Sequence, residues 1–231
     1  MTRTRIQSGP ASFAGAGPAD MRPNEGARRL RPQIREEILD AVERQLETIG
    51  YAGMTIEEVA RHAGIGKGTV YLHFASKGDL ALSSIDRLIE RLLGQLESIA
   101  TRAEPAAERL HRMLVTRVLY RFDHVRQDHQ SLDQMLAVLR TSLLSRREEW
   151  FEREAMLLAR GIAEGRPEPA EESSRRDARS LVTATNSLLP YSLSKAELGR
   201  RSRLEERVGA LVDILLRGLD PQLSTNRGIS T

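Results

Sequence analysis

Lys67, Thr69, Tyr71, His73 and Lys77 fall within eleven consecutive residues and bring together two ammonium groups, a hydroxyl, a phenol and an imidazole. Every one of these side chains can donate a hydrogen bond, and two carry permanent positive charge, which is the chemistry that phosphate oxygens of a nucleic-acid backbone require. Leu72 sits among them and supplies an apolar tip of the kind that meets a thymine methyl in the major groove. Gly66 and Gly68 lack side chains, so backbone can come close to a duplex there.

Groups of this kind act together only if a rigid element aims them. Val70 and Phe74 stand four residues apart, the spacing that points two side chains inward from one helix face and leaves Lys67, Thr69, Tyr71, Leu72 and His73 facing outward. An earlier helix over residues 56–63 has a defined start: Thr55 caps it, and Glu58 three residues on predicts a capping box whose carboxylate reaches back to the Thr55 amide. Val59 and Ala60 are its buried face, Gly64 stops it in the left-handed conformation, and Ile65 plugs the corner before the second helix.

The ordered string Thr55-Ile56-Glu57-Glu58-Val59-Ala60, then Gly66-Lys67-Gly68-Thr69-Val70-Tyr71-Leu72-His73-Phe74 and Ser76-Lys77, resembles the DNA-binding domain of TetR-type transcriptional regulators over about residues 32–80. The resemblance implies a further helix ahead of the helix-turn-helix pair. Ile34, Ile38, Val42, Leu46 and Ile49 form its apolar stripe, and Pro32 suits its first turn. By the same resemblance, Thr55, Tyr71, His73 and Lys77 would hold phosphates while Lys67, Gly68, Thr69 and Leu72 would lie at the base edges.

The chain has 231 residues, enough for one small domain and one of ordinary size. Aromatics are 4%, and glycine and proline gather at ends and junctions, so long apolar-periodic segments dominate and the class is all-α. Absence of cysteine removes disulfide and thiolate chemistry. No apolar run approaches a membrane span and the first residues lack the order of a secretory signal, so a cytoplasmic protein is expected. The net charge of +3 gives no support to DNA binding once divided. Residues 1–31 carry six arginines against two acids, residues 32–80 five cations against eight acids, and residues 81–231 24 against 22. The cations of the reading domain must therefore be concentrated on one face, with Glu36, Glu37, Glu43 and Glu47 turned elsewhere. Residues 1–31 read as a basic tail, disordered to about Arg28, whose Arg28, Arg29 and Arg31 could form a DNA-contacting arm.

Beyond Lys77 the periodicity predicts helices over residues 79–99, from 105, 131–144, 147–164, 172–197 and 201–219, with a frayed end at 221–231. Pro190 should kink the 172–197 helix by freeing the Asn186 carbonyl. Residues 81–220 thus form a helical domain, for which the resemblance implies effector binding and dimerisation through the last two helices. Leu204, Val208, Leu211, Leu215 and Leu219 make the candidate dimer seam. Candidates for an effector pocket are Met113, Phe122, Met135, Leu139, Trp150, Phe151, Met156 and Leu188. Asp123-His124, Asp128-His129 and His111 lack the four-residue histidine spacing of a helical zinc site and read as solvated groups; no metal, cofactor or catalytic set is expected. Taken with these features, the resemblance implies a homodimeric regulator, not an enzyme, that binds a palindromic operator in double-stranded DNA and is released as a repressor by an unknown, largely apolar small molecule. A non-switching structural DNA-binding protein and an activator are the alternatives.

Overall fold

Apolar residues at three- and four-residue spacing close into two hydrophobic clusters, and the helices are arranged by which cluster each one serves. The computed structural model describes residues 25–125, 129–166, 171–193, 197 and 199–219, and every regular element among them is helical. In chain order these are α1 (Glu25–Thr48), α2 (Gly50–Gly53), α3 (Ile56–His62), α4 (Lys67–His73), α5 (Lys77–Ala100), α6 (Ala106–Val125), α7 (His129–Glu164), α8 (Glu171–Thr185) and α9 (Arg201–Leu219). Two 3-10 turns, Asn186–Leu188 and Pro190–Ser192, lie between α8 and α9. Among the described residues no helix is long and apolar enough to cross a membrane.

The first cluster joins Ile38, Leu39 and Val42 of α1, Val59 of α3, Val70 and Phe74 around α4, and Leu80 to Leu82 of α5. The second joins the rest of α5 to α6, α7, α8 and α9, with Leu92, Leu96, Leu114, Phe122, Leu158 and Val208 fully enclosed. Two helices serve both. Helix α5 passes from Leu82 in one cluster to Ile89 in the other, and α7 passes from Leu139 to Trp150.

Four sequence-based expectations are corrected. Helix α1 begins at Glu25, so residues 25–31 are helical and Pro32 lies inside the helix, where it has no N–H to give the Arg28 carbonyl. Residues 131–164 form one continuous helix, because nothing between Leu144 and Arg147 breaks it: Ser145 and Arg146 are both tolerated in a helix interior. The 172–197 segment ends as an α-helix at Thr185 instead of kinking, and the Asn186 carbonyl accepts from the Leu189 N–H at 3.2 Å within a 3-10 turn. Leu204 and Val208, placed in the dimer seam, are wholly buried in the subunit's own core together with Val212 and Leu216. Four-residue steps from 204 to 216 put these on the inner face of α9; Ile214 is on the outer face, and Leu211 and Leu215 sit at its flanks, partly packed against the second cluster.

Ion pairs between helices fix the packing. Arg87, mostly buried on α5, reaches Glu36 at 3.1 Å, Asp40 at 2.8 Å and Glu43 at 2.7 Å, all on α1, and Arg91 reaches Glu43 at 3.1 Å. The surplus acids of residues 32–80 are thus matched by cations just past residue 80. Deeper, Glu154 of α7 is fully buried between two α6 guanidiniums, Arg117 with its Nε at 2.6 Å and Arg121. Arg117 also donates to Thr185 Oγ1 at 2.5 Å and Asn186 Oδ1 at 2.8 Å, so this one cluster ties α6, α7 and the end of α8 together. Burial raises the Glu154 carboxyl's pKa, but attraction to Arg117 and Arg121 and their hydrogen bonds outweigh it, leaving the group below the usual glutamate value.

A depressed folded-state pKa means that Glu154 stabilises the fold above the unfolded value of about 4.3 and that this contribution is lost as pH falls through the lower, folded value. Glu154→Gln leaves two buried guanidiniums without a counter-charge and should lower the unfolding free energy by about 3–5 kcal/mol at neutral pH in urea melts. The difference from wild type should narrow below pH of about 4; a variant as stable as wild type would show the cluster to be unimportant.

Candidate nucleic-acid interface and effector cavity

The helix-turn-helix is held by local bonds that its sequence encodes. Thr55 Oγ1 accepts the Glu58 N–H at 3.2 Å and starts α3. The returning half of the capping box is absent: Glu58 takes Arg61 Nη2 at 2.6 Å, a charge-assisted bond one turn away, and the Thr55 N–H donates to Gln45 Oε1 of α1 at 3.4 Å. At the other end the Ile65 N–H bonds the Ala60 carbonyl at 3.0 Å and the Gly64 N–H bonds the Arg61 carbonyl at 3.3 Å, the Schellman closure, with Gly64 at φ 67°. Ile65 packs half-buried against the first cluster, which sets the angle between α3 and α4.

Val70 and Phe74 anchor α4 from beneath. On the opposite side Leu72 is 85% exposed and Tyr71 49% exposed, an unusual display of apolar surface for so short a helix. Lys67 and Gly68 are exposed beside them, and a Cβ built on Gly66 or Gly68 would meet no protein atom, so nothing inside the fold requires glycine at either place. Thr69 and His73 are half-buried on the flanks. Lys67 forms an ion pair with Glu57 of α3 and lies 5.8 Å from the Tyr71 ring centre. Its hydrogen bond holds Glu57 below its ordinary pKa and raises that of Lys67. Lys77 is placed differently from the sequence-based reading. Its Nζ donates to the Ala52 carbonyl at 3.1 Å and lies 4.7 Å over the Tyr51 ring, and burial lowers its pKa, so its ammonium is engaged with α2. Arg31 is exposed, and the side chains of Arg28 and Arg29 lie outside the described residues.

The eight pocket candidates disperse. Met135, Trp150 and Phe151 line a cavity of about 90 Å³ with Ile85, Leu88, Leu143, Arg121, Arg147 and Tyr191. Met113, Phe122 and Leu188 are packed within the second cluster. Leu139 belongs to the first cluster, its Cδ2 pressed where a Cβ on Gly78 would stand at 2.9 Å. Met156 is 48% exposed beside a separate open groove between α5, α7 and α8. The sequence reading missed Arg117, Arg121, Arg147 and Tyr191. Arg117 and Arg121 continue the four-residue step from Met113 on the inner side of α6, a phase that would have placed both indoors. The histidine groups separate as well: His111 Nε2 is 3.4 Å from Asp213, His124 Nδ1 is 2.7 Å from the Tyr120 carbonyl, and Asp123 binds Arg201. Asp128 lies outside the described residues, as does the side chain of His129.

A short helix with an outward polar and apolar face, set at a fixed angle on a capped partner helix, defines a helix-turn-helix. Residues 38–83 match the family model described as bacterial regulatory proteins, tetR family. The HTH-type transcriptional regulator EthR of Mycolicibacterium smegmatis is 39% identical over 69 residues, 29% of this chain and 32% of that protein. The first curated relatives are matched over only 22% to 34% of their own length. A TetR transcription regulator from Haloarcula marismortui shares the fold at a TM-score of 0.58 and 21% identity, covering 79% of this chain and 98% of that one. The transcriptional regulator FadR from Bacillus subtilis, solved in complex with stearoyl-CoA, aligns at a TM-score of 0.54 and 17% identity over 79% and 98%.

Glu57 places a negative charge against the one lysine of the α4 face. Glu57→Gln frees Lys67 and removes repulsion toward phosphate, so affinity for duplex DNA should rise about threefold or more and the salt dependence should steepen by up to about one released counterion. Unchanged affinity and slope in a fluorescence-anisotropy titration over salt would show that Lys67 makes no contact with DNA.

Proposed function

We propose that this protein is a transcriptional repressor that binds a palindromic operator in double-stranded DNA as a homodimer and leaves it when a small, largely apolar molecule enters the cavity between α5 and α7. The observation that carries the DNA-binding half is the α4 face: Lys67, Gly68, Tyr71 and Leu72 stand exposed on a helix whose other side is locked into the first cluster. Thr55, Thr69, His73 and Lys77 flank that face. Thr55 is at the α3 N-cap, where a phosphate would also meet unbonded backbone N–H groups.

Residues 32–80 form the reading domain in this scheme and residues 81–220 the effector-binding and dimerisation domain, with Arg28, Arg29 and Arg31 as an added arm. Dimerisation falls to the outer face of α9. Ile214 is 63% exposed, and Leu211, Leu215 and Leu219 are half-buried around it, an apolar surface that a second copy would cover. A two-fold pair of α4 helices could then enter successive major grooves about 34 Å apart.

The release step is supported by how the cavity is built. Met135 and Leu143 line it, and they flank Leu139 at four-residue steps along α7, on the face that packs against the first cluster. Occupancy that displaces this part of α7 displaces the wall on which the reading domain rests. Coupling of a few kcal/mol suffices to empty an operator. FadR, solved with stearoyl-CoA, is a ligand-bound regulator of related fold, consistent with an effector here.

Selection from a randomised duplex library with the full chain, followed by sequencing, should enrich a two-fold symmetric motif with half-sites one helical turn or more apart. Binding without any enriched motif would favour the non-switching structural protein, and an absence of binding would overturn the reading.

A further inference from the structure

The Gly64 turn folds the start of α4 back beside the start of α3, so that Lys67, the first residue of one helix, meets Glu57, the second residue of the other. Both side chains are exposed, and the Tyr71 ring, 5.8 Å from the Lys67 ammonium, bounds the pair on the α4 side. The surface around them is bare: Gly66 and Gly68 bear no side chain, and a Cβ at either would meet no protein atom. Glu36, Asp40 and Glu43 are engaged with Arg87, and Glu58 with Arg61. Among the described residues, Glu57 is therefore the acid that meets a cation of α4.

A carboxylate is repelled by every phosphate of a duplex, so on a DNA-facing surface it is favourable only where a base offers it a donor. The first residues of a recognition helix are the ones that reach base edges. In the major groove the donors are the N4 amino group of cytosine and the N6 amino group of adenine. Each is hydrogen-bonded, at about 3 Å, to a carbonyl oxygen of the opposite base, guanine O6 or thymine O4. An ammonium and a carboxylate that are themselves hydrogen-bonded match that spacing. We propose that Glu57 and Lys67 read one base pair of the operator half-site as a unit, Lys67 on guanine O6 and N7 and Glu57 on the N4 amino group of the paired cytosine. Reversal of the pair puts guanine O6 against the carboxylate and an amino group against the ammonium, so it is refused. Adenine under Lys67 is refused as well, because it brings thymine O4 under Glu57. Thymine under Lys67 keeps the polarity but has a methyl where guanine has N7, so it ranks second. The hydrogen bond from Lys67 holds the Glu57 carboxyl below its ordinary pKa, which keeps the acceptor charged at physiological pH. This inference rests on the reading of α4 as the DNA-recognition helix.

Selection from a randomised duplex library is run in parallel with the full-length wild type and Glu57→Gln, whose side chain is exposed, so the fold is kept. An amide both donates and accepts and so tolerates either polarity. Glu57→Gln should flatten one position of each half-site and leave the rest of the motif. At that position the wild type should favour guanine first and thymine second on one strand, with adenine and cytosine last. In anisotropy titrations the wild type should bind the selected duplex at least about tenfold more tightly than the same duplex with this pair reversed, and the variant should reduce that ratio by about fivefold or more. A variant that gains affinity by the same factor on both duplexes would show that Glu57 acts only as a general charge, which overturns the inference and leaves DNA recognition by α4 standing. A variant motif identical to that of the wild type, or another base order at the flattened position, would overturn it in the same way. No enriched motif from the wild type would defeat the reading of α4 and this inference together.

Discussion

Helix α7 supplies a wall to both hydrophobic clusters, and the rest of the structure follows from that shared use. Leu139, in its first third, is packed into the cluster that carries α4 and presses on Gly78 at the start of α5. Trp150, eleven residues later and about 16 Å along the axis, is packed into the second cluster. A helix is stiff over that length, so displacement at one end is delivered to the other instead of being absorbed by a loop. Helix α5 runs alongside as the second strut, tied to α7 by Arg146 with Asp86, by the Trp150 indole N–H donating to Asp86 at 3.1 Å and by Arg153 with Glu90 at 2.7 Å.

Charge is distributed to keep these struts in register. Arg87 gathers three carboxylates of α1 onto α5, so of the acids of this domain it is Glu57 that pairs with the lysine of α4. Arg117 and Arg121 converge on Glu154 and fix α6 against α7. Buried ion clusters of this sort are poor sources of net stability compared with apolar packing, but they tolerate few alternative arrangements.

The recognition unit was legible in the sequence because its determinants are local: the Thr55 cap, the Gly64 stop, and Val70 and Phe74 four residues apart all act within a few turns. The rest depended on partners far along the chain. Glu58 was expected to complete a capping box, and the competing Arg61 lies on the same turn, but the Thr55 N–H finds Gln45 ten residues back. Lys77 is expected from the resemblance to hold a phosphate, but the fold brings Tyr51 and Ala52 against its ammonium. The seam on α9 was misjudged because apolar residues occupy two of its faces, and only α6 and α8 decide that Leu204 and Val208 turn inward and Ile214 outward. Arginine in phase with a core stripe was overlooked for a related reason: composition counts charge as surface, whereas helical phase placed Arg117 and Arg121 inside.

The central claim is that the state of the cavity sets the position of the reading domain through α7. The chain contains no native cysteine, so spin labels can be placed at Glu47→Cys on α1 and Arg203→Cys on α9, in labelled chains diluted with unlabelled protein so that only distances within one subunit register. Leu88→Phe fills the cavity from α5 without any ligand. The account predicts that the label-to-label distance shifts by about 1–2 Å or more in the filled variant, the scale on which packed helices move. An unchanged distance distribution in a folded Leu88→Phe protein would contradict it.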